Sequence, residues 1–169
     1  MPSIFVDDPI KVEFLTSDKN AEPILRYLGA ALDHADFPQG CMVGMSYQAG
    51  GQEQAVLISS DAIAATQNAF SLMRANRTSQ DVAESGAVSC FEGQFRVRTQ
   101  LYLSAGTYAV GTLLCVRYQA AEGGVLGDAL TGGDDSTHAV GIVLSPPEDA
   151  SANTPMVVRM FSDAQPLEA

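Results

Sequence analysis

The residues of this chain that could take part in catalysis are few, and their spacing is unfavourable. The only two histidines, His34 and His138, belong to no HxH or HxxxH pattern that would bind a metal ion. Ser136 and Asp135 beside His138 supply the residue types of a Ser–His–Asp triad, but the GxSxG turn that presents such a serine is missing. A turn rich in Asp and Ser explains the same residues. We therefore predict no catalytic residues and no enzyme activity.

The glycine-rich stretch after residue 120 does not match a ligand-binding loop. Residues 123–127 read GGVLG and lack the Gly-Lys-Ser/Thr ending of a phosphate-binding loop. Residues 132–136 read GGDDS and lack the spaced acidic ligands and the distal glutamate of a calcium loop. We therefore predict no cofactor and no metal site, and we expect residues 120–138 to form a surface loop or a loose hairpin.

The cysteines predict free thiols rather than disulfides or a zinc site. Cys41, Cys90 and Cys115 are odd in number and show no CxxC spacing. Each lies within an apolar run, which favours buried thiols. Such cysteines are typical of a protein made in a reducing cytoplasm.

Composition and charge exclude several classes of partner. The chain has 169 residues, which suits one domain, and its 46% hydrophobic residues can form a core. Nine Lys and Arg against twenty Asp and Glu give a net charge of −11, which repels nucleic acid and anionic lipid. We expect neither nucleic acid nor a membrane as partner. The N-terminal sequence does not resemble a signal peptide, and no apolar run approaches the roughly 20 residues that span a bilayer.

The elements that would position any site are short strands. In residues 93–103 one parity is apolar apart from a threonine (Phe95, Val97, Thr99, Leu101 and Leu103), and the other carries Gln94, Arg96, Arg98, Gln100 and Tyr102. This alternation predicts a half-buried strand with Val97 and Leu101 facing inward. Similar runs with glycine and proline between them predict a mainly β protein, an antiparallel β-barrel or β-tulip-like sandwich with at most one or two short helices.

Two segments fit either a helix or a strand. Residues 21–33 carry a helical stripe (Ile24, Tyr27, Leu28, Ala31 and Leu32), but Pro23 and Gly29 also allow an irregular strand. In residues 61–75, either Ser60 or Asp61 caps a short helix over residues 62–69, or residues 69–74 form another strand. Between these segments, Cys41, Val43, Met45 and Tyr47 alternate and predict a hairpin with residues 54–59.

The domain organisation follows from these segments. We predict an extended N-terminal arm over residues 1–20, a β-rich body over 21–162 and a polar, frayed tail over 163–169. The body is either continuous or divided into subdomains at 21–84 and 85–162. Asp8-Pro9 keeps the arm extended, so it is either a strand of the chain's own sheet or a segment laid on a neighbour.

Four segments of the C-terminal half resemble the pattern of tailed-bacteriophage head decoration, or cement, proteins. They read EGQFRVRT at residues 92–99, GTYAVGTLL at 106–114, AVGIV at 139–143 and MVVRM at 156–160. In that family a tY-x-x-G-t-x-L strand start precedes a glycine-rich excursion, an a-V-G-I-V strand and a final l-x-V-R strand. The N-terminal half departs from the minimal family pattern by being longer.

The resemblance implies a function and partners. It implies a structural virion protein, made in the host cytoplasm, that binds the major capsid protein on the outer capsid surface. It further implies a homotrimer at local three-fold positions that stabilises the shell. On this hypothesis the arm is the capsid contact, through its apolar residues Ile4, Phe5, Val6, Val12, Phe14 and Leu15. A ligand-binding β-barrel and a small hydrolytic enzyme are the competing classes.

Overall fold

The fold is mainly β, as predicted, and its antiparallel sheet curls into a half-barrel. The computed structural model describes residues 12–16, 22–28, 39–47, 53–67, 69–74, 80, 86–129 and 138–167. The described elements are β1 (Val12–Thr16), β2 (Glu22–Leu28), β3 (Met42–Tyr47), β4 (Glu53–Val56), α1 (Asp61–Thr66), β5 (Phe70–Met73), β6 (Ala87–Glu92), β7 (Arg96–Thr99), β8 (Leu113–Gln119), β9 (Gly123–Asp128), β10 (His138–Ser145) and β11 (Met156–Pro166).

The eleven described strands form one sheet in the order β1-β7-β11-β10-β8-β9-β3-β4-β2-β6-β5. An additional pairing between β3 and β5 joins β3, β4, β2, β6 and β5 into a closed circuit. Apart from the parallel β2–β4 pair, the neighbours recorded in this sheet run antiparallel. The other strands form an open sheet whose edge is β1. The division of the body at residue 84 stays a prediction, although β6, which begins at Ala87, lies within the closed circuit.

Of the two ambiguous segments, the first is a strand where it is described, and the second contains a helix and a strand. Residues 22–28 form a strand, so the helix alternative is wrong there; pairing with β6 and β4 supplies the backbone hydrogen bonds that a helix would have made internally. The second segment is helical over α1, where Ile63 N donates to Ser60 Oγ at 3.2 Å, and extended over β5. Residues 29–33 lie outside the described part of the chain.

The alternation of the strand at residues 93–103 is confirmed only as far as Leu101. Val97, Thr99 and Leu101 are buried, while Arg96 and Arg98 are exposed. The strand itself, β7, ends at Thr99. Tyr102, which the alternation places on the polar side, is fully buried in the core, where its hydroxyl donates to the Thr154 carbonyl at 2.6 Å. Irregular backbone after Thr99 therefore reverses the side on which residues lie.

Two segments predicted to be loose are strands. After a turn at residues 120–122, β9 pairs with β8 along its length, with Val125 and Leu126 buried. The surface-loop alternative is therefore wrong for residues 123–128, which belong to a hairpin, although a buried and regularly paired one rather than a loose one. Residues 130–137 lie outside the described residues. The tail prediction is wrong up to Pro166, because β11 pairs His138 with Pro166 and Ala139 with Gln165.

The main core lies between the open sheet and the closed circuit. It joins Val97, Leu114 and Val158 of the open sheet to Met42 and Leu72 of the circuit. A smaller cluster contains Cys41, Val43, Ala55, Met73, Val88 and Cys90. The three cysteines are free and buried, as predicted. Burial is the main cause that raises the pKa of the Cys41 thiol, so this thiol stays protonated and unreactive.

Candidate interaction surface

The residues predicted to contact a capsid are divided by the structure. Ile4, Phe5 and Val6 lie outside the described residues. Val12, Phe14 and Leu15 lie on β1, which pairs with β7 of the same chain. Residues 12–16 therefore form a strand of the chain's own sheet, which is one of the two alternatives for the arm. A capsid contact of these six residues stays a prediction.

A β-bulge interrupts the edge strand at Leu15. Phe14 pairs with Val97 and Thr16 pairs with Arg96, so Leu15 is the additional residue between two consecutive pairs. Its exposed fraction of 36% makes it one of the two large hydrophobic residues found exposed in the described chain. A bulge twists an edge strand and limits uncontrolled pairing with other chains. The edge is therefore accessible at Leu15 without presenting a long flat strand.

The open sheet carries an uncovered face next to β1. In one row across the sheet, Arg96 pairs with Arg159, Arg159 with Ile142, and Ile142 with Leu113. Directly paired residues point to the same side, and these four are exposed or half-buried, whereas Val97, Val158, Val143 and Leu114 are buried on the other side. In the next row, Arg98 pairs with both Glu13 and Val157. We call this surface the outer face; it consists of Glu13, Arg96, Arg98, Leu113, Ile142, Val157 and Arg159.

The outer face is positively charged although the chain is strongly acidic. Three arginines and one glutamate lie on it, while the whole chain carries a net charge of −11. Arg98 is paired with Glu13, whose Oε2 lies 3.6 Å from its Nη1. Within the described part of the chain, Arg96 and Arg159 form no ion pair, and the buried Nε of Arg159 has no hydrogen-bond partner.

Arg74 and Arg117, away from the outer face, each have a partner in the described chain. Arg74 lies over the ring of Phe91, with its guanidinium carbon 5.6 Å from the ring centroid. Arg117 Nε donates to Asp61 Oδ1 at 3.1 Å. The outer face therefore places two guanidinium groups, neither of which has a counter-ion in the described chain, directly opposite each other.

A second exposed feature is the loop between β7 and β8, with Val110 at its tip. Val110 is 72% exposed, the more exposed of the two large hydrophobic residues noted above. The loop is nevertheless well hydrogen-bonded: Thr112 Oγ1 accepts from Ala109 N at 3.0 Å, and Thr112 N donates back to Ala109 O at 3.0 Å. Gly111 N then donates to Val143 O at 2.9 Å. We call residues 104–111 the Val110 loop, a rigid loop that presents an apolar tip.

The Val110 loop explains the motif at residues 106–114 in physical terms. The Tyr108 hydroxyl donates to Leu103 O at 2.6 Å, and its ring packs edge-on against Tyr102 with centroids 5.0 Å apart. Burial is the main cause that raises the pKa of Tyr108, so the hydroxyl remains a donor. Gly111 has a φ of 90°, which side chains rarely adopt. The tyrosine, glycine and threonine thus hold one turn in place.

A groove of about 220 Å³ lies on the inner side of the sheet. Apolar side chains such as Met42, Leu72 and Phe95 line it, together with the carboxylates of Glu53, Glu92 and Asp163. Ligand pockets usually measure about 300–1,000 Å³, so this groove accepts only a small ligand. Among the described residues, no group of three or more His, Cys, Asp or Glu side chains is arranged to hold a metal ion.

Sequence reasoning found part of this surface. The alternation of β7 placed Arg96 and Arg98 on the polar side, but nothing local to them indicates that Arg159, more than sixty residues later, lies directly opposite Arg96. The exposure of Val110 had no sequence signal, because a valine between two strands is as often buried.

His138 begins β10, whereas Ser136 and Asp135 lie outside the described residues. Among the described helices, none is long and apolar enough to cross a membrane.

Comparisons with known proteins add no name to this surface. No family model, no curated protein and no solved structure matches the chain. The function is therefore argued from the surface and from the pattern of the four C-terminal segments.

Proposed function

We propose that this chain is a structural virion protein that binds the outer surface of a tailed-phage capsid at local three-fold positions and stabilises the shell. Its partners are the major capsid protein and further copies of itself in a homotrimer. The single observation that carries the proposal is the pair of rigid, exposed features on the open sheet: the outer face and the Val110 loop. Strand pairing holds the outer face and hydrogen bonds hold the Val110 loop, so docking them should cost little conformational entropy.

The Val110 loop supports attachment because its tip is both apolar and fixed. An exposed valine on a mobile loop loses conformational entropy when it binds, which offsets much of the gain from burial. The hydrogen bonds at Ala109, Gly111 and Thr112 remove most of that cost in advance. Burying the Val110 side chain would contribute about 1.5 kcal/mol, and three copies in a trimer act together through their high effective concentration.

We infer that the part of the arm before Val12 also takes part in attachment. Val12, Phe14 and Leu15 lie on β1, which pairs with β7 of the same chain, so the proposal places the contact with a neighbour in Ile4, Phe5 and Val6. Strand addition along the outer edge of β1 is the mode of contact that suits an extended segment. The contact then combines main-chain hydrogen bonds with burial of these side chains.

Two truncations test the role of the arm. A variant that begins at Lys11 keeps β1, whereas a variant that begins at Ser17 removes β1 together with the Glu13–Arg98 ion pair. We expect the first to keep the thermal midpoint of the full chain but to lose co-sedimentation with capsids that lack this protein. We expect the second to be destabilised, which makes it the control for damage to the fold.

The full-length chain must bind those capsids and raise their resistance to heat. Val110→Asp should weaken binding without unfolding the protein, and Ala105→Ser, on the same loop at another exposed position, should bind like the full chain. Full-affinity binding by the Lys11 variant would show that the arm is not the anchor. A full-length chain that neither binds nor protects capsids would refute the proposal.

A second candidate function is non-catalytic binding of a small ligand in the inner groove. The apolar lining and the three carboxylates favour a compact ligand with a positive charge. The groove ranks second because its volume of about 220 Å³ is below the usual range. Thermal-shift measurements with small aliphatic amines test it, since a ligand that binds the folded state must raise the midpoint. A midpoint that no amine changes would reject this candidate.

A further inference from the structure

Arg96 and Arg159 are two like charges that the described chain leaves without a counter-ion. They are direct cross-strand partners on β7 and β11, and both side chains lie on the outer face. Like charges in directly opposed positions of an antiparallel pair destabilise the sheet. A sequence that keeps this pair therefore either tolerates the repulsion or uses an anion from outside the described chain to offset it.

The Nε atom of Arg159 distinguishes between these two cases. It is buried and has no hydrogen-bond partner among the described residues. A solvated arginine would satisfy this donor with water, whereas a buried donor without an acceptor costs free energy. The guanidinium group presents its donors in a planar fork that fits the two oxygens of a carboxylate. A carboxylate that binds the two guanidinium groups would offset both positive charges, and it would satisfy the buried Nε if the Arg159 side chain shifts on binding.

Copies of this chain carry the complementary charge. Each copy has a net charge of −11, and the outer face of Arg96, Arg98 and Arg159 is a positive region on that acidic molecule. Exposed carboxylates elsewhere on the described surface include Glu148 and Asp163. Attraction between the outer face of one copy and the acidic surface of another is the electrostatic complementarity that guides association.

We propose that Arg96 and Arg159 together form a carboxylate-binding site for a second copy of this chain. The inference rests on the self-association that is part of the proposed function, and it names the face through which that association occurs. Half-buried Ile142 and Leu113 continue the row beyond Arg159, so docking also buries apolar surface beside the charges.

The charge pattern favours a head-to-tail contact between copies. A positive face that binds an acidic surface elsewhere on the next copy makes such a contact, and head-to-tail contacts form a closed ring when the rotation between copies closes. A trimer is a ring of this kind.

The test uses purified full-length protein in sedimentation velocity experiments. Self-association should weaken between about 0.1 M and about 1 M salt, because the Debye length decreases from about 10 Å to about 3 Å. Arg159→Gln and Arg96→Gln should each raise the dissociation constant about thirtyfold, which corresponds to about 2 kcal/mol. Arg74→Gln removes the same charge from a position away from the outer face and should leave the dissociation constant unchanged.

Arg96 is exposed, so Arg96→Gln cannot act by unfolding the protein even if Arg159→Gln lowers the stability. Sulfate should weaken association more than chloride at equal ionic strength, because an oxyanion competes for the guanidinium groups. If the protein is a trimer whose dissociation constant neither substitution changes, this inference is overturned and the proposed homotrimer stands. A chain that stays monomeric at all salt concentrations would overturn it too, while co-sedimentation with capsids measures the attachment separately.

Discussion

Asp61, the first residue of α1, lies 3.1 Å from Arg117 on β8, measured from Oδ1 to Nε. The same carboxylate oxygen accepts from the backbone N of Tyr118 at 2.8 Å, and Oδ2 accepts from Arg117 Nη2 at 3.5 Å, so one side chain attaches α1 to β8 by three hydrogen bonds. Gly127 leaves room for the Arg117 side chain, because a Cβ at that position would lie 2.5 Å from Arg117 Cγ. The partly exposed Asp61–Arg117 ion pair thus fixes α1 to the open sheet, and the Arg117 side chain lies against Gly127.

We expect Asp61→Asn to lower the free energy of unfolding by about 1 kcal/mol. The charged hydrogen bonds would be worth about 1.5–3 kcal/mol if they were buried, and partial exposure reduces this by solvent screening. The midpoint and slope of urea unfolding measure the change. Glu148→Gln, at an exposed carboxylate on another turn, is the control and should not move the midpoint. Equal midpoints for Asp61→Asn and the parent chain would mean that the ion pair contributes nothing.

The junction between the open sheet and the closed circuit depends on Gly124. A Cβ there would collide with the carbonyl oxygen of Met42, the residue with which Gly124 pairs across β9 and β3. The Met42 oxygen belongs to strand backbone and cannot rotate away from the new Cβ, so the two strands must separate. We expect Gly124→Ala to cost about 3 kcal/mol or more.

Gly86→Ala is the comparison for this substitution. Gly86 has a φ of 60° and open space around its Cβ position, so alanine there meets only backbone strain of about 1 kcal/mol. Thermal unfolding of the two variants distinguishes a steric effect from a conformational one. A Gly124→Ala chain as stable as Gly86→Ala would show that β3 and β9 are not in close contact.

The two sides of β7 should respond very differently to substitution. Val97 is 1% exposed in the main core, so Val97→Asp buries an unpaired carboxylate and should destabilise by several kcal/mol. Arg96→Gln should leave the thermal midpoint nearly unchanged when it is measured at protein concentrations low enough for the chain to be monomeric. Similar losses in both variants would mean that both sides of β7 are covered.

The cysteines should be protected in the folded protein. Cys41, Cys90 and Cys115 are free and buried, and burial raises the pKa of the Cys41 thiol, which suppresses the reactive thiolate. We expect no reaction with Ellman's reagent at neutral pH in the native state and full reaction in denaturant. Rapid labelling of any one thiol in the native state would contradict the buried position of that residue.

Asp149 should make stability depend on pH in the acidic range. Its carboxylate accepts from Ser151 Oγ at 2.6 Å, Ser151 N at 2.9 Å and Ala152 N at 3.3 Å, and these bonds hold its pKa below the ordinary value. A lowered folded-state pKa means that the contribution is present above the unfolded pKa of about 3.9 and is lost as the pH falls through the folded value.

The variant Asp149→Asn isolates this contribution. We expect it to be less stable than the parent chain at neutral pH, and the difference should shrink as the pH falls below about 4. Urea unfolding at a series of pH values measures the difference. A difference that stays constant down to the acidic end would show that the charge of Asp149 is not what stabilises the turn.

Parts of the fold and of the candidate surface follow from local sequence. The alternation through Val97 identifies the buried side of β7, and that of Val43 and Met45 predicts the hairpin of β3 with β4, because successive strand residues point to opposite sides whatever the neighbours are. The same rule places Arg96 and Arg98 on the exposed side. The contact residues proposed for the arm remain predictions, since three of the six lie outside the described residues.

Only the tertiary structure decided the rest. Residues 22–28 are a strand because β4 and β6 supply their hydrogen bonds, and β9 is buried although glycines flank its two apolar residues, Val125 and Leu126. Tyr102 lies in the core, where its hydroxyl donates to the Thr154 carbonyl, and Arg96 meets Arg159 because β7 pairs with β11 rather than with its neighbours in sequence. Each of these outcomes depends on partners that lie far along the chain. Local propensity is worth only tenths of a kcal/mol per residue, so pairing and burial between distant segments outweigh it.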